Sequence, residues 1–228
     1  MNFDLNLSKM TGVYKFHDRK NITKFAINKA GKFPRLSREM RGYQWYLKKL
    51  LKRKINIKNS NFKSFYREIY LPFFKGKQIK FWKKSSSYEK EIQIILNHYL
   101  KIWPKKKIKF VPFHGDLTFS NILFKKNNEP QIIDWEFFSK KKPWGLDICY
   151  FLISTAVLPT IANKKILISK DDFLQFKKFW RLFFKDYNFS YLRNPVVYIK
   201  KNRLINRENF LYKINGKIKK QILKAIKI

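Results

Sequence analysis

The chain has 228 residues, of which 45% are hydrophobic and 18% aromatic, and this apolar content excludes an intrinsically disordered protein. Its 52 Lys and Arg against 15 Asp and Glu give a formal net charge of +37, so we expect anionic partners. Charge alone does not distinguish nucleotide phosphates, nucleic acid, an anionic glycan and an acidic membrane surface. Drift of the composition towards Lys, Asn, Ile and Phe explains the basicity equally well.

The cellular compartment is indicated by the cysteine content and by the absence of targeting patterns. A single cysteine, Cys149, cannot form an internal disulfide, which fits a reducing compartment. The N-terminus lacks the basic start and apolar run of a secretory leader. The longest apolar stretch, 148–161, is interrupted by polar residues and Pro159, and it is too short to cross a bilayer. We therefore expect a cytoplasmic protein.

The first third of the chain predicts a small antiparallel sheet and one helix. Residues 11–29 alternate between apolar and polar as two or three short strands do. Ser37 is predicted to cap a helix over 38–52, where apolar residues recur at helical spacing. Two further strands are predicted at 55–59 and 64–74.

A domain boundary is predicted near residue 75, where Pro72 and Gly76 interrupt the strand pattern. It divides the chain into two lobes, 1–75 and 76–228. In the second lobe the patterns predict, in order, a helix over 88–102, a strand over 107–113, and helices over 146–158, 171–186 and 207–226.

The segment from Asn121 to Asp134 predicts a β-hairpin with a four-residue loop. Pairing Lys126 with Gln131 would bring Asp134 opposite Leu123. Asn121 and Asp134 would then lie at the same open end of the hairpin, within reach of one ion.

Three carboxylates, Asp116, Asp134 and Glu136, fall within 21 residues of a chain that has few acids. Bringing them together without a cation would be costly because like charges repel. Oxygen ligands from Asn121 and Asp134 suit Mg²⁺ completed by substrate phosphates. Asp116 would then be free to accept the proton of an attacking hydroxyl, as in phosphoryl transfer.

The motif "HGDLTFSNIL", followed by "IIDWE" and "WGLDICYFL", resembles the aminoglycoside phosphotransferase and choline kinase family, most specifically over residues 112–150. The resemblance implies an α+β, bilobal protein kinase-like fold, with a small antiparallel β-sheet N-lobe that binds nucleotide and a mainly helical C-lobe that carries catalysis and the acceptor. It implies ATP and Mg²⁺ as cofactors, Asp116 as the catalytic base, and Asn121 and Asp134 as the magnesium ligands.

Three further residues of the motif have supporting roles by this resemblance. His114 would brace the loop that carries the base. Asp147 would steady the same loop, although the N-cap of a helix starting near Ile148 is an equally good interpretation. Glu136 would either contact a second metal ion or face the solvent.

The resemblance also implies nucleotide contacts from the N-lobe. A lysine that grips phosphate, paired with a helix glutamate, would be Lys29 with Glu39, although Lys24 and Lys32 lie nearby. The stretch "LPFFKGKQI" resembles the link between lobes, and its residues either line the adenine cleft or end a buried strand: Leu71, Phe73 and Phe74. Only Gly12 stands where the family's phosphate-covering loop has several glycines.

Three functions follow as hypotheses. The first is an ATP-dependent phosphotransferase acting on a hydroxyl of a small molecule or sugar. The second is a noncatalytic kinase-like protein that binds nucleotide or an anionic partner, and the third, which we do not favour, is a basic nucleic-acid-binding protein. The helix near the C-terminus has one apolar face, which would pack on its own domain or lie on an acidic membrane surface at the inner face of the membrane.

Overall fold

The computed structural model describes residues 13–17, 21–27, 33–52, 59–63, 66–72, 74–79, 88–103, 110–201 and 209–227. For 13–17, 21–27, 33–34, 59–63, 66–70 and 72 the description covers the backbone alone. The predicted phosphate-gripping Lys29, the predicted cleft residue Phe73 and Gly12 lie outside the described residues.

The first sheet has four antiparallel strands in the order β1-β2-β4-β3. Its strands are β1 Val13–His17, β2 Asn21–Ile27, β3 Asn59–Lys63 and β4 Tyr66–Pro72. The strands predicted within 11–29 are confirmed, with Val13 opposite Ala26 in the β1–β2 pair. The sheet predicted from alternation therefore forms, although β3 lies later in the chain than the predicted 55–59.

Helix α1, Phe33–Leu51, packs against this sheet and begins ahead of the predicted start at 38. Pro34 lies in its first turn, where the missing N–H needs no partner and the fixed φ suits a helix. Ser37 therefore lies inside the helix, and its predicted role as N-cap is wrong.

The second half is mainly helical around a buried core. It contains α2 Tyr88–Ile102, α3 Leu146–Ala162, α4 Lys170–Phe184, α5 Pro195–Lys201 and α6 Gly216–Ile226. Helix α3 is buried on nearly all sides, and its apolar residues are accordingly distributed around the whole helix. The helix predicted over 88–102 is confirmed, and the α+β architecture with small antiparallel sheets and a mainly helical second half is confirmed as well.

The helix predicted over 207–226 forms only in its second half, as α6, which ends at the predicted residue. Residues 202–208 are outside the described residues, and a short 3₁₀ helix, Phe210–Lys213, precedes α6. The side chain of Asn215 accepts a hydrogen bond from Ile218 N at 2.9 Å and caps α6. The polar cap starts a new helix because it satisfies the first free N–H groups locally.

Five short strands complete the described structure: β5 Lys77–Gln78, β6 Phe110–Phe113, β7 Ile122–Phe124, β8 Pro130–Ile132 and β9 Ser139–Pro143. They form the sheets β5-β7-β8 and β6-β9. The β7–β8 hairpin is present, but Leu123 lies opposite Gln131, so the predicted register is wrong by three residues. Asn128, with φ of 60°, lets a longer loop close through the Lys125–Glu129 ion pair at 2.9 Å.

The lobe boundary near residue 75 stays a prediction. Strand β5, directly after it, pairs with β7 of the hairpin. Within the described part of the chain, no helix combines the length and the apolar character needed to cross a bilayer.

Candidate active site

The segment His114–Asn121, here called the base loop, follows β6 and ends in the short 3₁₀ helix Phe119–Asn121. Gly115 has φ of 91°, a conformation that side chains rarely adopt. A Cβ at this position would lie 2.6 Å from Phe137 Cβ, so the loop also needs the absence of a side chain. Glycine therefore lets the base loop turn tightly while packed against the segment after the hairpin.

Asp147 holds the start of the base loop from the first turn of α3. Its carboxylate accepts hydrogen bonds from His114 N at 2.9 Å and Gly115 N at 3.1 Å. The N-cap of α3 is Gly145, with φ of 80°, so the interpretation of Asp147 as the N-cap is wrong. Burial raises the pKa of Asp147 to about 7, although the two N–H donors lower it. These contacts are the ones that a loop-steadying residue requires.

His114 links the base loop to the segment after the hairpin. Its Nε2 lies 2.8 Å from Ile133 O, and Asp116 N donates to its Nδ1 at 3.2 Å. One nitrogen must therefore donate to a carbonyl while the other accepts from an amide, which is the pattern of a neutral imidazole. Both nitrogens are used in bracing, and neither is left for acid–base chemistry.

The carboxylate of Asp116 is held on both oxygens. Tyr150 OH donates to Oδ1 at 2.7 Å, and Asn121 Nδ2 donates to Oδ2 at 3.1 Å and to Asp116 O at 2.7 Å. Burial raises the pKa of Asp116 to about 7; the Tyr150 and Asn121 hydrogen bonds oppose this rise, and the charges of Asp134 and Glu136 add to it. Such a carboxylate can accept a proton near neutral pH.

Sequence reasoning missed Tyr150 and Asn209. Asn209 Nδ2 donates to Tyr150 OH, so a hydrogen-bonded chain runs from the C-terminal segment to Asp116. Tyr150 stood in the motif "WGLDICYFL", three residues after Asp147, and the α-helical period placed it on the same face. Asn209 gave no comparable indication, because its proximity depends on how the C-terminal segment folds back.

Residues 132–136, here called the metal loop, turn sharply at Asp134, whose φ is 66°. Ile133 N donates to Asn121 O at 2.9 Å, which places Asp134 next to Asn121 at the open end of the hairpin. Asn121 uses Nδ2 on Asp116, so its Oδ1 can point elsewhere. Together with the half-buried Asp134 carboxylate, it offers the oxygen donors that Mg²⁺ takes from proteins.

The metal-ligand assignment of Asn121 and Asp134 stays a prediction. Among the residues that the structure describes, no group of three or more His, Cys, Asp or Glu side chains is arranged to hold a metal. Glu136 is half-buried beside Asp134, and its role also stays a prediction.

Helix α1 holds the metal loop through side chains that the sequence did not single out. Tyr43 OH accepts from Asp134 N at 3.0 Å, and Tyr46 OH accepts from Ile132 N at 3.1 Å. Arg38 Nε donates to the carbonyl oxygen of Glu136 at 3.0 Å. These pairs are separated by about ninety positions in the chain, so only the fold brings them together.

Gly42 explains how α1 comes so close to the metal loop. A Cβ at Gly42 would lie 2.5 Å from Trp135 Cβ, which leaves no room for any side chain. Trp135 is itself fully buried, and its indole N–H donates to Ile132 O at 3.1 Å. Close packing of helix against loop therefore depends on one glycine and one buried tryptophan.

Three of the predicted nucleotide-binding residues lie among the described residues. Glu39 is buried on α1, and Leu71 is buried at the end of β4. Phe74 is half-buried, and its ring stacks on Tyr43 with centroids 6.3 Å apart. Phe74, Tyr43 and Asp134 are thus in consecutive contact, which links the predicted adenine side to the metal loop.

The architecture and the two loops are consistent with a kinase-like protein, and the comparisons with known proteins agree. The model of the ecdysteroid kinase-like family matches residues 20–167, which is 148 of the 228 residues. The chain belongs to the ecdysteroid kinase-like family, and it is therefore related to kinases of the phosphotransferase type. Membership of the aminoglycoside phosphotransferase and choline kinase family stays a prediction.

Solved structures similar to this chain include three of WbdD. The crystal structure of WbdD at 2.2 Å superposes with a TM-score of 0.50 and 13% identity, covering 98% of this chain and 50% of that chain. A medium-resolution structure of the bifunctional kinase-methyltransferase WbdD has a TM-score of 0.45 and 11% identity, covering 97% of this chain and 43% of that chain. A co-crystal structure of WbdD with kinase inhibitor LY294002 has a TM-score of 0.43 and 10% identity, covering 94% of this chain and 42% of that chain.

The first of these structures confirms the predicted kinase-like fold, and at this identity it supports the fold alone. The chain spans about half the length of the WbdD chain that it matches. A search of curated proteins found no match.

Proposed function

We propose that the protein is an ATP- and Mg²⁺-dependent kinase that transfers the γ-phosphate to a hydroxyl group of a small molecule or sugar. The observation that carries this proposal is the contact between the two loops. The base loop presents an oriented Asp116 carboxylate, and the metal loop presents Asp134 beside Asn121. An ordinary domain has no structural need for acidic side chains gathered in this way.

Asp116 suits the role of base by its orientation and by its proton affinity. Each carboxylate oxygen already accepts one hydrogen bond from the protein and keeps lone-pair capacity for a substrate hydroxyl. The hydrogen bonds fix the direction of the carboxylate, and fixing a reacting group lowers the entropy lost in the reaction. Transfer of the hydroxyl proton to Asp116 would then accompany attack of the hydroxyl oxygen on the γ-phosphorus of ATP, while the bond from that phosphorus to the bridging oxygen breaks and ADP leaves.

Asn121 and Asp134 would hold Mg²⁺. The fit rests on the donor set, because Asn121 Nδ2 is committed to Asp116 and leaves the amide oxygen for a cation beside a carboxylate. When bound, the ion would neutralise charge on the nucleotide phosphates. The residues of this chain fix where those ligands stand, through Tyr43 on one side and His114 on the other.

The nucleotide would lie on the α1 side of the metal loop. Leu71 and Phe74 would contact adenine, and Glu39 would orient a phosphate-gripping lysine, for which Lys29 is our candidate. The stacking of Phe74 on Tyr43 supports this placement.

Small hydroxylated compounds are the acceptor class that we propose. The motif resemblance to kinases of choline and amino sugars supports it, and the name of the matched family adds hydroxylated steroids to the compounds worth testing.

We further propose that the enzyme works in the cytoplasm, in part as a peripheral protein at the inner face of the membrane. Nucleic acid is not favoured as a partner.

A noncatalytic kinase-like protein is the second candidate. The single Gly12 where related enzymes have a glycine-rich loop favours it. Such a protein would bind nucleotide or another anion without transferring phosphate.

Thermal stabilisation by ATP, with and without Mg²⁺, tests the metal–nucleotide part of the proposal. We expect ATP to raise the melting temperature of the wild type only when Mg²⁺ is present, and Asp134→Asn to lose this rise. Asp171→Asn, an exposed acid on α4, is the matched control and should behave as the wild type. Equal stabilisation of all variants without Mg²⁺ would mean that ATP is only an anion meeting a highly basic surface.

Radiolabelled ATP with panels of amino alcohols, amino sugars, neutral sugars and polyhydroxylated sterols tests the transfer. Labelled product that requires Asp116 would establish the kinase and name its acceptor class. Magnesium-dependent ATP binding without labelled product from any panel, and without ATP hydrolysis, would favour the noncatalytic candidate.

A further inference from the structure

The apolar face of α6, which the sequence offered as a membrane contact, is used inside the protein. Its apolar residues are buried against the core: Ile218, Ile222, Ala225 and Ile226. The helix exposes lysines instead, among them Lys217 and Lys220. The exposed apolar surface of this region lies elsewhere.

The connection between α3 and α4, residues 163–169, carries two adjacent aliphatic side chains on the surface. Ile166 is 61% exposed and Leu167 is 51% exposed. We call this segment the aliphatic loop. Because the two residues are adjacent in the chain, they place two large aliphatic side chains on the surface of one connection.

The aliphatic loop is held firmly, so the exposure of this pair is imposed by the fold. Asn215 Nδ2 donates to Ile166 O at 3.1 Å. Gln221 forms two hydrogen bonds with the backbone of Ile168, accepting from its N at 2.8 Å and donating to its O at 3.1 Å. Ile168 is buried directly after the exposed pair. The side chains of Asn215, the N-cap of α6, and of Gln221, within α6, therefore fix the loop and leave Ile166 and Leu167 exposed.

The charge around the exposed pair is positive. Lys164 and Lys165 precede it, Lys170 follows it, and all three are exposed. The chain from 162 to 170 contains no acidic residue, and Asp171 is the nearest acid after it. Lys217 lies two residues from Asn215, whose side chain holds the loop. A pair of aliphatic side chains framed by ammonium groups matches a surface that is apolar inside and anionic outside.

We propose that the aliphatic loop docks the protein on an anionic lipid bilayer. Ile166 and Leu167 enter the boundary between headgroups and acyl chains, while the flanking lysines contact anionic headgroups. This surface differs from the active site and needs no phosphate transfer.

Co-sedimentation with lipid vesicles at physiological salt tests the docking. The probes are vesicles of equal parts phosphatidylglycerol and phosphatidylcholine, and vesicles of phosphatidylcholine alone. Wild-type protein should bind the anionic vesicles and bind the neutral ones far more weakly. Ile166→Ser with Leu167→Ser should lower the partition coefficient on anionic vesicles by roughly tenfold or more, because it removes the inserted apolar surface.

The matched control is Leu182→Ser with Val197→Ser, which removes two exposed aliphatic side chains elsewhere, 53% and 39% exposed. This variant should bind as the wild type does. Both double variants should keep the wild-type melting temperature, since all four side chains face the solvent.

A second measurement attaches an environment-sensitive dye to Leu167→Cys or Leu182→Cys, because the native Cys149 is fully buried. Only the dye at 167 should shift to shorter wavelength on anionic vesicles.

Two results would overturn the proposal. If the Ser pair binds anionic vesicles as the wild type does, or the dye at 167 does not shift, the attraction is electrostatic over the whole basic surface and the loop does not insert. If the Ser pair instead weakens binding to a short DNA duplex as strongly as binding to vesicles, the loop is a general anion contact. Docking then has no preference for a bilayer.

Discussion

The two loops of the candidate active site are held by different helices and through different kinds of hydrogen bond. The base loop depends on α3. Asp147 of this helix holds the loop backbone with its carboxylate, and Tyr150 donates a hydrogen bond to the Asp116 carboxylate. The metal loop depends on α1, whose side chains end on neutral backbone atoms. Breaking the α3 contacts should alter the chemistry of the base, whereas breaking the α1 contacts should alter where the metal ligands stand.

The largest effect on the rate of phosphate transfer is expected when the proposed base, Asp116, is removed. Asp116→Asn keeps the size of the side chain and should lower the rate of phosphate transfer by about 10²–10⁴-fold, the range typical of a general base. Magnesium-dependent ATP binding should remain, measured by thermal stabilisation. Glu136→Gln is the control, with an expected loss of less than tenfold. A variant at 116 that still transfers phosphate at the wild-type rate would remove Asp116 from the mechanism.

Acid should weaken the α1 side of the comparison through His98. His98 Nε2 lies 3.0 Å from Tyr46 OH, which also accepts from Ile132 N of the metal loop, and burial lowers the pKa of His98 to about 4. The unfolded chain binds this proton below pH 6.5 and the folded protein only near pH 4. The contribution of the neutral His98 to the free energy of unfolding is therefore fully present above pH 6.5. It falls by up to about 3 kcal/mol as the pH drops to 4.

Denaturant unfolding at pH 7 and at pH 4.5 measures this loss. The variant His98→Gln keeps a polar end but cannot titrate, so its stability should fall less over the same interval. An identical pH dependence in both proteins would show that His98 does not contribute to acid unfolding.

On the α3 side, Asp147→Asn replaces an acceptor pair by one acceptor and one donor. One of the two backbone N–H groups, of His114 or Gly115, then loses its partner in a buried place. We expect a loss of about 2 kcal/mol in the free energy of unfolding at pH 8, where Asp147 is ionised. Phosphate transfer should fall with it, because the base loop is displaced. The exposed Asp171→Asn should leave both unchanged.

Tyr150→Phe removes one of the two donors to the Asp116 carboxylate. The carboxylate then loses part of its fixed direction, and we expect kcat to fall about tenfold with little change in the KM for ATP. Tyr212→Phe, which removes an exposed hydroxyl from the C-terminal segment that carries Asn209, should leave kcat unchanged. A rise in the KM for ATP without a fall in kcat would show that Tyr150 acts on binding.

Tyr43→Phe gives the smallest effect and the sharpest contrast with Tyr150→Phe. Asp134 N loses its acceptor, and we expect a loss of about 1 kcal/mol in stability. The Mg²⁺ concentration needed for half-maximal ATP stabilisation should rise about fivefold, while kcat at saturating Mg²⁺ stays close to the wild type. If both tyrosine variants lowered kcat and left the Mg²⁺ requirement unchanged, the two loops would not differ as we infer.

The sequence by itself determined the local parts of this protein. Strand alternation predicted β1 and β2, helical periodicity predicted α2 with its bounds, and the spacing of Asp116, Asn121 and Asp134 around a hairpin predicted the grouping of the acids. These features depend on neighbours in the chain, and their periods and turns are visible in the letters. The register of the hairpin was missed because Asn128 can adopt a positive φ and lengthen the loop.

Only the tertiary structure decided which side chains support the site. Tyr43, Tyr46, Tyr150 and Asn209 reach the loops through hydrogen bonds between segments far apart in the sequence, and no pattern in a single segment distinguishes a tyrosine that packs in the core from one that holds a loop. The same holds for α6 and the aliphatic loop. An apolar stripe and an apolar pair look alike in sequence, and packing against the core buried the first and left the second exposed.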